Sequence, residues 1–325
     1  MTLHPELSVI VLSRNQRDAV LRCVRSVLAE MAPATEGWEL LVVDSASKDG
    51  TRETLDGLPL RWISIEDSPL LCASLGRWAG TEPSSGTFVL FLDGDMELSK
   101  GFLPAALDLL RSRPEVAGVV GQVMERDPGS PSGWRDRNRI LREGPAAKFG
   151  GAVVFRRGSL LRAGGYDPYI FNREENELYS RIRMAGETVW KLSIPMAVHH
   201  DPPSSAVEKF FREILPGRRR PLGRAQAFLR SWKKGNLFFY LRQEGLFFFS
   251  LLADAVSAIA FLLLPSTAAW GAPAAVQLTS LVVHAGSWSA GQYILNKIAA
   301  VQFLLGLFLS PGLLRLPLPA VREAS

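Results

Sequence analysis

Phe88-Val89-Leu90-Phe91-Leu92-Asp93-Gly94-Asp95 decides the reading of this chain. Five consecutive apolar residues rich in β-formers predict a strand buried on both faces of a parallel sheet. The run stops at two carboxylates separated by one glycine. In an open α/β sheet the carboxyl ends of the strands border the ligand crevice, so both acids are expected at its mouth. Two aspartates this close repel each other unless a cation lies between them, and hard oxygen ligands suit Mg²⁺ or Mn²⁺. About one D-x-D is expected by chance in a chain of this length. The buried strand in front of it makes this one informative.

Upstream, Ser8–Leu12 predicts a first buried strand ending at Ser13-Arg14-Asn15. Residues 17–29 carry an apolar stripe (Val20, Leu21, Val24, Val27, Leu28) at helical spacing. Leu40–Val43 predicts a second strand, ending at Asp44-Ser45, and Leu60–Ile65 a third. A helical piece over 70–79 leads into the strand quoted above. Downstream, residues 102–110 and 177–185 predict helices, while 116–123, 150–156, 189–192 and 196–199 predict strands. Such alternation is the signature of a doubly wound α/β sheet. The stretch 125–148 lacks a period, and a loop that long in a compact domain is often a lid.

Composition divides the chain. Hydrophobic residues make up 47% of it, and the formal net charge is +5. Residues 206–245 hold ten Lys/Arg against three Glu, while the first 205 residues are net acidic. The basic character is thus local, which argues against nucleic acid as a partner. Aromatic and aliphatic residues interleave with those cations, as in amphipathic helices lying on an anionic membrane surface. Leu246–Leu264 then runs nineteen residues with one charge, Asp254. As a helix it is about 28 Å long, close to the hydrocarbon thickness. Residues 267–285 make a weaker span, and 298–314 a third segment interrupted by Pro311-Gly312. The expected organisation is a catalytic domain over 1–205, basic juxtamembrane helices over 206–245, and two or three apolar helices over 246–325. Met1–Leu7 is short and polar, which predicts no signal peptide. The cations before the first span predict an inner (cytoplasmic) membrane protein with its catalytic domain facing the cytoplasm. Cys23 and Cys72 lie in apolar contexts and read as reduced, buried thiols.

Polar residues at three strand ends (Ser13-Arg14-Asn15, Asp44-Ser45 and Asp93-Gly94-Asp95) suit a nucleotide whose diphosphate is held through a metal. N-capping explains any one of them, but all three less easily. A second centre is Arg173-Glu174-Glu175-Asn176-Glu177. Its acids could simply complement a helix dipole. In a cleft, one of them could take a proton from an attacking hydroxyl.

Together, Ser8–Asn15, the DSASKDGT run from Asp44 to Thr51, Arg77 followed by Gly80, Phe88–Asp95, the Gly164-Gly165-Tyr166-Asp167 turn and Glu174–Arg181 resemble family 2 of the glycosyltransferases. The order of these motifs matches over roughly residues 7–200. The resemblance implies the GT-A fold, a Rossmann-like, mostly parallel sheet. It also implies inverting transfer of a sugar from a nucleotide diphosphate sugar to a hydroxyl, with Mn²⁺ or Mg²⁺ as cofactor. Ser13, Arg14, Asn15, Asp44, Ser45, Arg77, Asp93 and Gly94 would contact the donor. Asp93 and Asp95 would bind metal with His199, which matches the family's late histidine better than His200 does. Glu175 would be the base, with Glu174 and Glu177 as alternatives, because Glu stands at 175 and 177 where the family has Asp. Trp78 replaces the usual Asn after the arginine. The expected acceptor is a lipid-linked molecule or surface glycan, with membrane lipids as surroundings. The alternatives are a polyprenyl-phosphate sugar transferase, whose acceptor needs no strong base, and a membrane-anchored nucleotide-sugar-binding protein without turnover. A transporter is disfavoured by the small number of spans.

Overall fold

The computed structural model describes residues 5–31, 37–127, 130, 132–137, 140–200, 222–263, 271–287 and 290–324. The basic run Lys209, Arg212 and Arg218–Arg220, the Pro202–Ser205 stretch and the Pro265-Ser266 turn lie outside them.

The apolar runs become neighbouring strands. β1 (Leu7–Ser13), β2 (Trp38–Ser45), β3 (Arg61–Ile65) and β4 (Phe88–Asp93) pair in parallel in the order β3-β2-β1-β4. Alternate residues face opposite layers. Val9 and Val11 pack with Val20, Cys23, Val24 and Val27 of α1 (Arg17–Met31). Ile10, Leu41 and Val43 face Leu75 and Ala79 of α3 (Ala73–Thr81) on the other side. A short α2 (Thr51–Thr54) lies between β2 and β3. Gly80 permits the close approach of α3: a Cβ there would sit 2.5 Å from Ile10 Cγ2 and 2.8 Å from Val43 Cγ2.

Beyond β4 the sheet is mixed. β5 (Met96–Leu98), α4 (Phe102–Ser112), β6 (Val116–Arg126), β7 (Trp134–Asp136), β8 (Gly144–Pro145), β9 (Val153–Arg156), α5 (Arg157–Arg162), α6 (Glu174–Met184) and β10 (Thr188–His199) follow in sequence. The spatial order continues β4-β9-β6-β10-β5, with β9 antiparallel to both its neighbours and β6 parallel to β10. The two short strands expected over 189–192 and 196–199 are one strand, and its register shifts along β6 absorb Pro195. The 125–148 stretch contains β7 and β8, so part of the expected lid is fastened to the sheet.

The C-terminal region comprises α7 (Gly223–Lys234), α8 (Leu237–Gln243), α9 (Gly245–Leu263), α10 (Gly271–Ser287), α11 (Ala290–Leu313) and β11 (Val321–Ala324). Among the described residues, two stretches are long and apolar enough to cross a membrane: Gly245–Leu263 and Asn296–Leu313. The apolar part of α10, Pro273–Val283, is shorter. Helix α11 runs through Pro311 rather than stopping before it. α9 and α11 are antiparallel, since Phe247 stacks on Phe303 while Asp254 meets Lys297. β11 then returns to the sheet edge beside β3, where Arg61 forks onto Glu323.

Candidate active site

Parallel register lines up the strand ends. Ser13 is level with Asp44, Asp44 with Ser64, and Leu12 with Asp93. At β2's end Asp44 accepts from the Ser47 backbone N–H at 2.9 Å and from the Ser47 hydroxyl. Burial pushes the Asp44 carboxyl up, and these bonds only partly offset it. Asn15, in the left-handed region at φ 49°, ties the first strand end to the same loop. Its N–H donates to Ser47 Oγ at 2.7 Å, and its Oδ1 accepts from Lys48 N–H at 2.8 Å. Asp44, Ala46, Ser47, Lys48, Trp62 and Ser64 line a cavity of about 390 Å³. Arg14 is exposed, Ser45 is nearly buried, and the buried Ser13 Oγ has no hydrogen-bond partner among the described residues.

The second cavity, about 350 Å³, is built around Arg77. Helix α3 carries this guanidinium, 1% exposed, to the end of β4. Cys72 caps the helix by accepting Leu75 N–H at 3.4 Å; it is partly buried, whereas Cys23 is fully buried as expected. Arg77 Nη2 donates to Asp93 Oδ1 at 2.9 Å, and Nη1 to Glu174 Oε1 at 2.9 Å with Glu175 Oε1 at 3.6 Å. Its guanidinium lies 5.2 Å from the centre of the Tyr166 ring. Burial works against the Arg77 charge, yet Asp93 and the two glutamates hold its pKa well above the usual range.

Two glycines let this cluster close up. Gly94 bonds N–H to Leu12 O at 2.9 Å, and a Cβ on it would lie 2.5 Å from that oxygen. At Gly151 a Cβ would fall 2.0 Å from Asp93 Oδ2 and 2.9 Å from Arg77 Nη2.

Opposite Asp93, the first turn of α6 presents Glu174 and Glu175. Burial, with the neighbouring Glu174 charge, pushes the Glu175 carboxyl up to about 7 even though Arg77 counteracts. Asp93, Glu174 and Glu175 line the same cavity with Arg77, Arg137, Lys148, Arg173 and Asn176. Glu177 is turned elsewhere. Fully buried, it is gripped by Arg181 (Nη2 to Oε2, 2.6 Å) and Lys234 (Nζ to Oε1, 3.3 Å), outside the cavity lining.

Asp95 occupies a separate niche. Its Oδ2 is 3.3 Å from His199 Nε2, and His199 Nδ1 is 3.8 Å from Glu125 Oε1. Burial would raise the Asp95 carboxyl, but the His199 hydrogen bond and charge leave it below the ordinary range. Among the described residues no group of three or more His, Cys, Asp or Glu converges to hold an ion. Asp95 Oδ1 is nevertheless buried without a hydrogen-bond partner there. A carboxylate with an orphaned oxygen beside an imidazole is a donor pair that fits a divalent cation with open positions. His200 instead pairs with Glu97 at 2.9 Å.

Motif reading did not find Arg137 and Lys148, which are remote in sequence and reach the cavity through irregular chain. The basic residues of α7, which the sequence placed against an anionic membrane surface, have other partners. Arg230 (2.7 Å) and Lys234 (2.8 Å) bind buried Asp167, and Arg224 (3.1 Å) binds Glu244. These three cations neutralise acids of the protein itself, whereas the sequence pattern had suggested lipid headgroups. Trp232, Lys233, Phe238 and Arg242 remain exposed.

A strand-end crevice with an arginine-bridged acid pair, set on a Rossmann-like mixed sheet flanked by helices, is the architecture of the GT-A fold. The model of the family Glycosyl transferase family 2 matches residues 8–172, and the chain belongs to that family. The chain is 30% identical to TuaG of Bacillus subtilis, named as a teichuronic acid biosynthesis glycosyltransferase, over 39% of this chain and 50% of that one. It is 32% identical to glycosyltransferase AglE of Haloferax volcanii over 28% of this chain and 31% of that one. It is 28% identical to the dodecaprenyl-phosphate galacturonate synthase of Rhizobium johnstonii over 38% of each. The matched stretches thus span half or less of these relatives' own length. Among solved structures, the mannosyltransferase PcManGT of Pyrobaculum calidifontis, in complex with GDP-Man and Mn²⁺, superposes with a TM-score of 0.57 at 18% identity. That likeness covers 95% of this chain and 88% of that one, and it concerns the fold.

Proposed function

We propose that this protein is an inverting, metal-dependent glycosyltransferase that moves a sugar from a nucleotide diphosphate sugar to a hydroxyl of a lipid-linked or surface-glycan acceptor. The observation that carries the reading is the shared cavity. Asp93 and Glu175 face one space, bridged by a single buried arginine, and Glu175 has a carboxyl near pH 7.

In this reading the nucleotide lies along Ser13, Arg14, Asn15, Asp44 and Ser45, with Asp44 accepting from the base. Asp95 and His199 hold Mn²⁺ or Mg²⁺, with Asp93 beside them. The bound ion supplies electrostatic stabilisation of the leaving diphosphate. Arg77 holds the Asp93 side chain at the cavity wall, and Gly94 and Gly151 let the neighbouring chain close up around it. Glu175 removes the acceptor proton as the oxygen attacks the anomeric carbon opposite the leaving group. A carboxyl near 7 is matched to that task, since the best catalytic pKa lies close to the working pH. Glu174 is the acid held tightly by Arg77, at 2.9 Å, while Glu175 lies farther from it, at 3.6 Å.

The apolar pair α9 and α11 supports attachment to a membrane, with both domain-side ends anchored. α11 continues into Leu313, Leu316 and Leu318, which pack on the catalytic core. A polyprenyl-phosphate acceptor is the second reading, favoured by the cations Arg137, Lys148 and Arg173 in the cavity wall. Thermal-shift measurements against UDP-, GDP- and dTDP-sugars, with and without Mn²⁺, test the donor half. One nucleotide should stabilise the protein, and more so with the ion. No shift with any of them, in either condition, contradicts the proposal.

A further inference from the structure

We propose that Glu244, at the root of the first apolar helix, is a positioning residue for the base. The proposal rests on the reading of Glu175 as that base. Glu244 is 7% exposed and lies between α8 and α9. Its backbone carbonyl accepts Phe247 N–H at 2.9 Å and Phe248 N–H at 3.2 Å, so it opens α9. Its carboxylate accepts from Asn176 Nδ2, from Arg224 Nε at 3.1 Å, and lies 3.5 Å from Arg173 Nη1.

Arg173 and Asn176 bracket Glu174 and Glu175, and both line the cavity. Arg173 has φ 71°, a left-handed conformation that a bulky residue keeps only when its surroundings impose it. Among those surroundings is Glu244. Burial would raise the Glu244 carboxyl, but Arg173 and Arg224 hold it below the usual range, so it stays an anion while Glu175 titrates.

The adjacent residue works on the opposite wall. Gln243 Nε2 donates to Ala147 O at 2.6 Å, and the chain runs from there through Lys148 to Gly151, which lies against Asp93. Two consecutive side chains at the helix root therefore fix both sides of the cavity. Turnover is tied to how the apolar helices are seated.

The test uses the full chain in lipid nanodiscs with Mn²⁺ and whichever of the UDP-, GDP- and dTDP-sugars stabilises it, turnover being read as release of the nucleoside diphosphate. Glu244→Ala and Glu244→Gln should lower kcat at least tenfold with donor KM within twofold. Glu244→Asp should recover part of the loss. The rise of kcat through pH 7 should shift, because the environment of Glu175 has changed. Asn176→Ala, which cuts the link to α6 while leaving Glu244 with its two arginines, should lower kcat in the same direction and serves if the Glu244 variants do not fold. A purely structural role lowers melting temperature and the number of donor-binding sites but leaves kcat per site and its pH profile alone. That result, in either Glu244 or Asn176 variants, overturns the proposal. Glu175→Gln separates the two claims. If it turns over normally, the base assignment fails; if it is inactive while Glu244→Ala keeps full kcat per site, only the positioning role fails.

Discussion

Glu175 combines a buried carboxyl, a like charge next to it and an arginine shared with two other acids. Its raised pKa predicts that kcat climbs as pH rises through about 7, the carboxyl becoming a base only when ionised. The same shift has a stability counterpart. A carboxyl whose folded pKa exceeds the ordinary value of about 4.5 contributes stability fully present below that value and lost as pH rises through 7. Glu175→Gln should therefore melt with the wild type near pH 4 but several degrees higher at pH 8, as calorimetry would register. Gly151→Ala should cost transfer at least tenfold, because the new methyl occupies the position of Asp93 Oδ2. A melting curve close to wild type would separate this from unfolding. The aspartates and the glutamate cluster were legible in sequence because they end or begin an element, whereas Arg77, in the middle of α3, was marked only by the family resemblance. Choosing among three glutamates was not, since only tertiary contacts turn Glu177 toward Arg181 and Lys234.

At the scale of elements, strand-end chemistry depends on register. Parallel pairing brings Ser13, Asp44 and Asp93 onto one rim, and the βαβ pattern made that readable in advance. The antiparallel insertion of β9 was not readable, because a four-residue strand carries no mark of direction. β10 brings His199 to Asp95 after running the length of β6, a pairing far apart in sequence. If this pair holds the ion, Asp95→Ala and His199→Ala should each weaken Mn²⁺-dependent donor binding at least tenfold by calorimetric titration. Binding of the bare nucleoside should change little. Equal donor affinity with and without Mn²⁺ in the wild type contradicts the assignment.

For the whole molecule, the apolar helices are wired to the sheet-bearing region at both ends. α7 joins it through Arg230 and Lys234, which bind Asp167, Glu244 ahead of α9 is held by Asn176, and β11 closes the sheet edge next to β3. Within the helices, Asp254 of α9 meets Lys297 of α11 and accepts from Gln277 of α10 at 3.0 Å; Gln277 accepts from Lys297 at 2.8 Å. The sequence exposed the solitary charge but not its partner, since nothing local distinguishes Lys297 from a flanking residue. An unmatched charge among apolar helices is costly. Asp254→Leu or Lys297→Leu alone should lower the melting temperature of the detergent-solubilised protein more than the double variant does.

The most direct measurement concerns a single oxygen pair. Sugar transfer and donor binding should be measured side by side on wild type and Glu175→Gln, with Mn²⁺ present and the acceptor saturating. Loss of transfer by at least a hundredfold with donor affinity unchanged is the expected result. Transfer at the wild-type rate by Glu175→Gln would contradict the account.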